Sequence, residues 1–378
     1  LNIKILAVLS GAIFLLSILS ASSIASATKP GDVYTMDNAA PVNHVLQYQS
    51  GPGGALSLVG TFSTQGAGTG KGLASQDAVV LAQDGRWLLA VDAGSNEITV
   101  FQVNSNGSLS FADNIGSQGT APISLAVSTP SAANAAGTPN TDLVYVLNNG
   151  TSIVPGNIAG FSLNVHGQLA YISGSTQPLS GKLNSSPEQI GFSTDGKVLV
   201  VTEKAGGVID TYTVSRGGVA SPSAIVPSNG GGPYGFVFTS QGYLLLTEAG
   251  TGSISSYAVS DSGSLRTLSG AIPDFGLAPC WIAVTRDGTD AYTSNAHGGT
   301  ISGYDISGTG TLSLFSSVAA KTSIPTLDLA FSGNNQYLYV LNGAQITSFQ
   351  VYPGGSIYQV SVTAAGGLPA STTGLAAS

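Results

Sequence analysis

Three stretches of this chain say nearly the same thing. "PEQIGFSTDGKVLVVTEKAGGVIDTY" begins at Pro187, "PYGFVFTSQGYLLLTEAGTGSISSY" at Pro233 and "PCWIAVTRDGTDAYTSNAHGGTISGY" at Pro279, so that the prolines are 46 residues apart each time. Each has an apolar run, a turn at a fixed place, a second apolar run and a Gly-rich turn. A fixed period of this length marks a chain built from one unit that buries its faces only against its neighbours. Further copies start at Gln76, Pro122 and Thr326, the one at Pro122 carrying an insertion. The runs have period two or are rich in β-branched and aromatic residues, as in "RWLLAV", "KVLVVT" and "QYLYVL". That is the pattern of strands, and no helical period is sustained. Four strands in ~40–50 residues make one propeller blade.

The first unit, Gly31 to Phe62, begins at a second strand. Its missing first strand lies at the other end of the chain, where "PASTTGLAAS" (Pro369 to Ser378) reads like the opening of a blade. The expectation is an all-β, seven-bladed β-propeller of four-stranded antiparallel blades. Its ring is closed by the C-terminal strand pairing in blade one. Closure removes the exposed sheet edge that an open array would leave.

Charged residues are only 8% of the chain, while 42% are hydrophobic. The apolar share is enough to bury a core, and the surface must be solvated mainly by hydroxyls and amides. The net charge of −8, with no cluster of Lys and Arg, argues against a nucleic-acid partner and gives no handle for anionic lipid. Residues 1–27 have the form of a secretory signal peptide: one Lys, the apolar run Ile5 to Leu19, then "ASA" at 25–27. The domain reading is a signal peptide over 1–27 and one propeller over 28–378. It implies a secreted, periplasmic or cell-surface protein with no membrane contact after cleavage. Cys280 is the only cysteine, so no internal disulfide forms. A closed ring has no edge that demands a partner, and a monomer is expected.

Several motifs fall away on inspection. "GAGTGKG" (Gly66 to Gly72) lacks the Ser or Thr of a phosphate loop and connects two blades. No Ser has Gly two residues away on both sides, which excludes a nucleophile elbow. His44, His166 and His297 lack zinc spacing.

Propeller geometry brings the start of each first strand and each second-to-third-strand loop to one face. The openings contribute Asp77, Glu188, Gln189, Tyr234, Cys280, Trp281 and Asp328, and the loops contribute Asp92, Glu203, Lys204, Glu248, Asn295 and His297. Six of the 19 acidic residues fall in this set. Crowded carboxylates raise one another's pKa and supply a general base. Polar residues at turns are the plainer reading of any single position.

With the repeats laid out, the chain resembles the β-propeller lactonase family, the 6-phosphogluconolactonase-like and carboxymuconate-cyclase-like proteins. More loosely it resembles surface propellers with YVTN-like repeats. The resemblance rests on "SQDAVVLAQDGRWLLAVDAGSNEITVFQV", the repeats at Pro187 and Pro279, and the terminal "GLPASTTGLAAS". It implies hydrolase chemistry on a lactone ring without a metal. A carboxylate or imidazole moves the proton, and a cation or N–H donors hold the oxyanion. Glu188 and Glu203 are the base candidates, with Lys204 and His297 as their cationic partners. Asp77, Gln189, Tyr234, Glu248, Cys280, Trp281, Asn295 and Asp328 are the candidate substrate contacts. The family places His and Arg at first-strand openings, and here neither is present. The phosphate clamp expected for a phosphogluconolactone is missing too, which points to an unphosphorylated lactone. No cofactor is expected. A calcium site would need Asp77, Glu188, Asp328 and Asn295 to converge on the channel axis. The alternative is a non-catalytic scaffold that binds a small molecule, glycan or protein on the same face.

Overall fold

The computed structural model describes residues 31–128, 141–363 and 367–378. The signal-peptide reading and most of the insertion in the third repeat lie outside the described residues. Seven antiparallel sheets follow one another around a ring. The inner strands are Thr373–Ala377 in blade one, Val79–Leu81 in blade two and Pro122–Val127 in blade three. They continue with Pro187–Phe192 in blade four, Pro233–Phe238 in blade five, Pro279–Val284 in blade six and Thr326–Phe331 in blade seven. Blade three carries an extra short strand, Gln177–Pro178, on its third strand. The ring closes as the sequence predicts: Val33 pairs with Ala377, Tyr34 with Ala376 and Met36 with Thr373.

Position in the blade explains the hydrophobic pattern. Second strands such as Trp87–Asp92 and Val198–Glu203 are buried along their whole length, because a blade packs on each face. They therefore read as continuous apolar runs. Outer strands such as Leu56–Ser63 are mostly exposed and tolerate polar residues. In blades two, four, six and seven the first hairpin turns at a left-handed residue: Gly85, Gly196 and Gly288 at φ 70°, 71° and 73°, and Asn335 at φ 57°. Gly or Asn is needed there because the left-handed region crowds a Cβ.

Tyrosines lock adjacent blades. The hydroxyls of Tyr34, Tyr145, Tyr243 and Tyr292 donate to the carbonyls of Gly107, Gly218, Gly308 and Gly355, each in the outer hairpin of the next blade. Tyr145 also accepts the Ala220 N–H at 2.9 Å. Tyr145→Phe strands both backbone groups. We expect it to cost about 1–3 kcal/mol, read as a lower melting temperature with the circular dichroism of the native sheet retained.

Candidate functional site

Register decides which side chains reach the channel mouth. In blades four, five and six the first inner-strand residue pairs with the last residue of the second strand: Pro187 with Glu203, Pro233 with Glu248, Pro279 with Asn295. A bulge follows at once in each blade. Bulges break the strict alternation of side chains. The adjacent residues Glu188 and Gln189 in blade four, and Cys280 and Trp281 in blade six, are consequently all buried at the inner rim.

Five of the candidates meet there. Glu188 is only 4% exposed. Its Oε1 accepts a bond from Ser186 Oγ at 3.0 Å and lies 3.8 Å from Lys204 Nζ. Lys204 sits 5.0 Å from the centre of the Tyr234 ring, and Tyr234 packs edge-on to Trp281 at 5.1 Å. Burial pushes the Glu188 carboxyl up to about 8, against the opposing pull of Lys204, Ser186 and Tyr234. Cys280 belongs to the same cluster. Burial pushes its thiol up to about 12, with Lys204 lowering it and Glu188 raising it. A thiol with that pKa is a poor nucleophile at neutral pH.

The mouth is not an open funnel. The segment Leu73–Asp77, which enters blade two, runs across it and bonds to four other blades. Ser75 Oγ donates to Ile123 O at 2.7 Å in blade three, and Gln76 N–H to Glu188 O at 3.3 Å in blade four. Tyr234 in blade five donates its hydroxyl to Ala74 O. In blade six, Trp281 Nε1 donates to Ser75 O at 2.9 Å, and Gln76 exchanges two bonds with the Ile282 backbone at 2.9 and 3.2 Å. Blade two has only a three-residue inner strand for this reason. Gly235 makes room for the crossing: a Cβ there would lie 2.3 Å from Gln76 Oε1 and 2.6 Å from Cys280 O. Gly235→Ala is expected to cost about 1–3 kcal/mol by overpacking and to loosen the segment. Faster hydrogen exchange at residues 73–77 together with a lower melting temperature would show both effects.

At the end of this segment Asp77 accepts Gln189 Nε2 at 2.6 Å, and burial pushes its carboxyl up to about 7. Asp328 accepts the N–H groups of Leu329 and Leu375 at 2.9 and 3.1 Å. Burial first, and then the Asp77 charge, hold its carboxyl well above the usual range.

The loop-side candidates other than Lys204 lie elsewhere. Glu203 accepts Ser180 N–H at 2.8 Å and Ser180 Oγ at 3.0 Å. Glu248 accepts Ser228 Oγ, Gly230 N–H, Ser253 Oγ and Ser255 Oγ at 2.6–2.9 Å. Asn295 donates to Thr300 and Ser302 at 3.0 and 2.9 Å. Each is the last residue of a second strand, and Glu203 and Glu248 clip the connection arriving from the preceding blade. Asp92 and Asn148 do the same in blades two and three. His297 is exposed at a loop tip, where its backbone N–H donates to Leu277 O. No hydrogen bond or ion pair joins its ring to the Glu188 cluster.

Of the four residues of the calcium reading, Asp77 and Asp328 lie near enough for the Asp77 charge to act on Asp328, while Asn295 bonds to Thr300 and Ser302 and Glu188 lies beside Lys204. Among the described residues no group of three or more His, Cys, Asp or Glu side chains forms a metal-ligand set. Sequence reasoning passed over Gln76, which ties the crossing segment to blade six. It also missed Asp274, which receives bonds from Gly276 N–H, Thr293, Ser302 and Tyr304.

Residues 33–152 match the family model "Lactonase, 7-bladed beta-propeller", which bears out the resemblance seen in the repeats. The fold is similar to that of the periplasmic gluconolactonase of Pseudomonas aeruginosa, at 17% identity over 92% of this chain and 98% of that one, with a TM-score of 0.68. A protein from Lactobacillus plantarum aligns with a TM-score of 0.73 at 16% identity, covering 93% of this chain and 100% of that one. A Bacteroides fragilis protein provisionally assigned as a 6-phosphogluconolactonase aligns with a TM-score of 0.67 at 14% identity, over 93% and 99% of the two chains. No curated protein matches the sequence. The chain is a lactonase-like seven-bladed propeller.

Proposed function

We propose that this propeller hydrolyses an unphosphorylated lactone at the channel mouth, with Glu188 as general base and Lys204 as the cation beside the oxyanion. The observation that carries the reading is the pair itself: a carboxyl only 4% exposed and 3.8 Å from a lysine, with burial pushing its pKa up to about 8. Carboxylates tuned upward by burial are the usual general bases near neutral pH. Ionised Glu188 takes a proton from water as the water oxygen bonds to the lactone carbonyl carbon. The tetrahedral oxyanion forms beside Lys204. Its collapse breaks the ring C–O bond, and the departing alkoxide recovers the proton from Glu188. The product is the open hydroxy acid.

Lys204 is a single cation, whereas a phosphate ester calls for several. Export follows the signal-like N-terminus and the periplasmic residence of the Pseudomonas relative. A second reading, ligand binding without turnover, draws on the low exposure of Glu188 and on first-strand openings without His or Arg.

The test is a panel of γ- and δ-lactones, phosphorylated and not, with and without chelator. The expected result is turnover of unphosphorylated rings, indifferent to chelator. Glu188→Gln should lose about 100-fold or more of it while its melting temperature stays at or above the wild type's. Full activity in that variant would move the base elsewhere. A folded protein inert on every lactone would leave a binding propeller, and loss with chelator alone would reinstate a calcium mechanism.

A further inference from the structure

Beside the Glu188 cluster lies a cavity of about 220 Å3, lined on its apolar side by Trp281, Pro325, Leu327 and Leu341 and bearing Asp328 among its polar groups. That is below the ~300–1,000 Å3 of a drug-sized pocket, so what enters it is small. The apolar surface does not stop at the cavity. Ile324, next to Pro325, is 64% exposed, as is Leu277, and Phe275 is 78% exposed.

These side chains form one strip. Ile324 lies on the blade-six loop, since a Cβ on Gly299 would come within 2.9 Å of its Cγ1. Leu277 borders the same loop: its carbonyl accepts His297 N–H at 3.1 Å, and a Cβ on Gly298 would meet its backbone N at 3.3 Å. Phe275 holds φ at +60°, a left-handed position that a bulky residue rarely takes. An exposed aromatic in that conformation persists only because its surroundings fix it. Asp274 does the fixing. It holds the turn through Gly276 N–H at 2.9 Å and anchors it to blade six through Thr293, Ser302 and Tyr304 at 2.6, 3.0 and 3.0 Å.

We propose that the ligand of this mouth is a lactone with an aliphatic tail. The ring sits at Glu188 and Lys204 beside Trp281, and the tail runs through the cavity and over Pro325 and Ile324 toward Leu277 and Phe275. A protein partner laid on the strip would leave the small cavity unfilled, whereas one tailed molecule fills both. The inference rests on the lactone reading for the identity of the ring and adds the class of substituent.

The experiment titrates the protein with δ-lactones of increasing alkyl length, from δ-valerolactone to δ-dodecalactone. Trp281 reports by fluorescence and calorimetry runs in parallel. Glu188→Gln is the host, so that binding is read without turnover. Affinity should tighten about two- to fourfold for each of the first added methylenes, the gain expected for a CH2 leaving water wholly or in part. Leu277→Ser with Ile324→Ser should flatten that gain without lowering the melting temperature. Affinity independent of chain length, a gain untouched by the double variant, or no binding at all would overturn the inference. A length-dependent series in a protein that turns over no lactone sinks the hydrolase and keeps the tail. Turnover with a flat series does the reverse.

Discussion

Lactone turnover is expected to climb about tenfold per pH unit up to about pH 8 and to level off above it. The base must be ionised to accept a proton from water, and Glu188 is held at about 8. At pH 6 about one molecule in a hundred then carries the active form. An ordinary glutamate would be fully ionised across the whole range and give a flat line. The rise is therefore a signature of this buried carboxyl. Lys204 lowers the Glu188 pKa by its charge. Lys204→Met should move the rise to higher pH and lower the plateau as well, because the oxyanion loses its cation. Stability gives an independent check of the same titration. A carboxyl whose folded pKa is raised contributes its stability below the ordinary carboxylate range and loses it as the pH rises toward 8. Glu188→Gln removes that loss. Its melting temperature should equal the wild type's in acid and exceed it at pH 8 to 9, while its rate stays low throughout. A flat rate profile between pH 6 and 9 in the wild type would sink Glu188 as the base.

The fold could be read from the sequence because the period repeats the same physical constraint in each blade. Fully apolar second strands, a left-handed turn and a polar residue at the second strand's end recur, and any one copy explains the others. Ring closure was legible from one missing strand at the start and one spare at the end. The approach of Lys204 to Glu188 followed from register, since Pro187 faces Glu203. The crossing segment was not legible as a structure, though it left a signal. The second repeat opens on Gln76 where four others open on proline. Gln76 spends its side chain on blade six, and Ala74 and Asp77 turn through φ 51° and 61° to let it reach there. The loop-end acids misdirect for the opposite reason. Asp92, Asn148, Glu203, Glu248, Asn295 and Asn342 occupy one repeat position, and a polar residue in six of the seven blades answers a need of the architecture. A catalytic residue is needed once. Glu188 breaks its column in that way: the other repeats place Asp77, Ile123, Tyr234, Cys280 and Leu327 there.

One of those clips departs from the rest and carries the largest expected gain in stability. Seven residues after the clip, three blades place a hydroxyl that bonds to it: Thr99 to Asp92 at 2.6 Å, Ser255 to Glu248 at 2.9 Å, and Ser302 with Asn295 at 2.9 Å. Blade four places Asp210 there, facing Glu203. Neither Asp210 oxygen is satisfied by a well-formed hydrogen bond, and the Ser180 N–H and the Lys182 charge offset its burial only in part. A carboxyl can replace a hydroxyl in this position only by keeping its proton and donating it to Glu203. Burial is the main cause that drives the Asp210 pKa far upward, with Glu203 adding to it. Glu203 is drawn the other way by the bonds it accepts. The unfolded chain ionises Asp210 in the ordinary range, so folding at neutral pH must take up a proton. The contribution of Asp210 is fully present below the ordinary carboxylate range and fades as the pH rises toward its raised folded value. Asp210→Asn supplies a donor that needs no proton, and Asp210→Thr restores the residue type of blade two. Each should be neutral near pH 4 and stabilising by about 2 kcal/mol or more at pH 8, with a melting temperature several degrees above wild type. The gain should grow steadily between those limits. A variant less stable than wild type at pH 8, or one whose advantage does not depend on pH, would mean that Asp210 is ionised in the fold and that some other cation balances it.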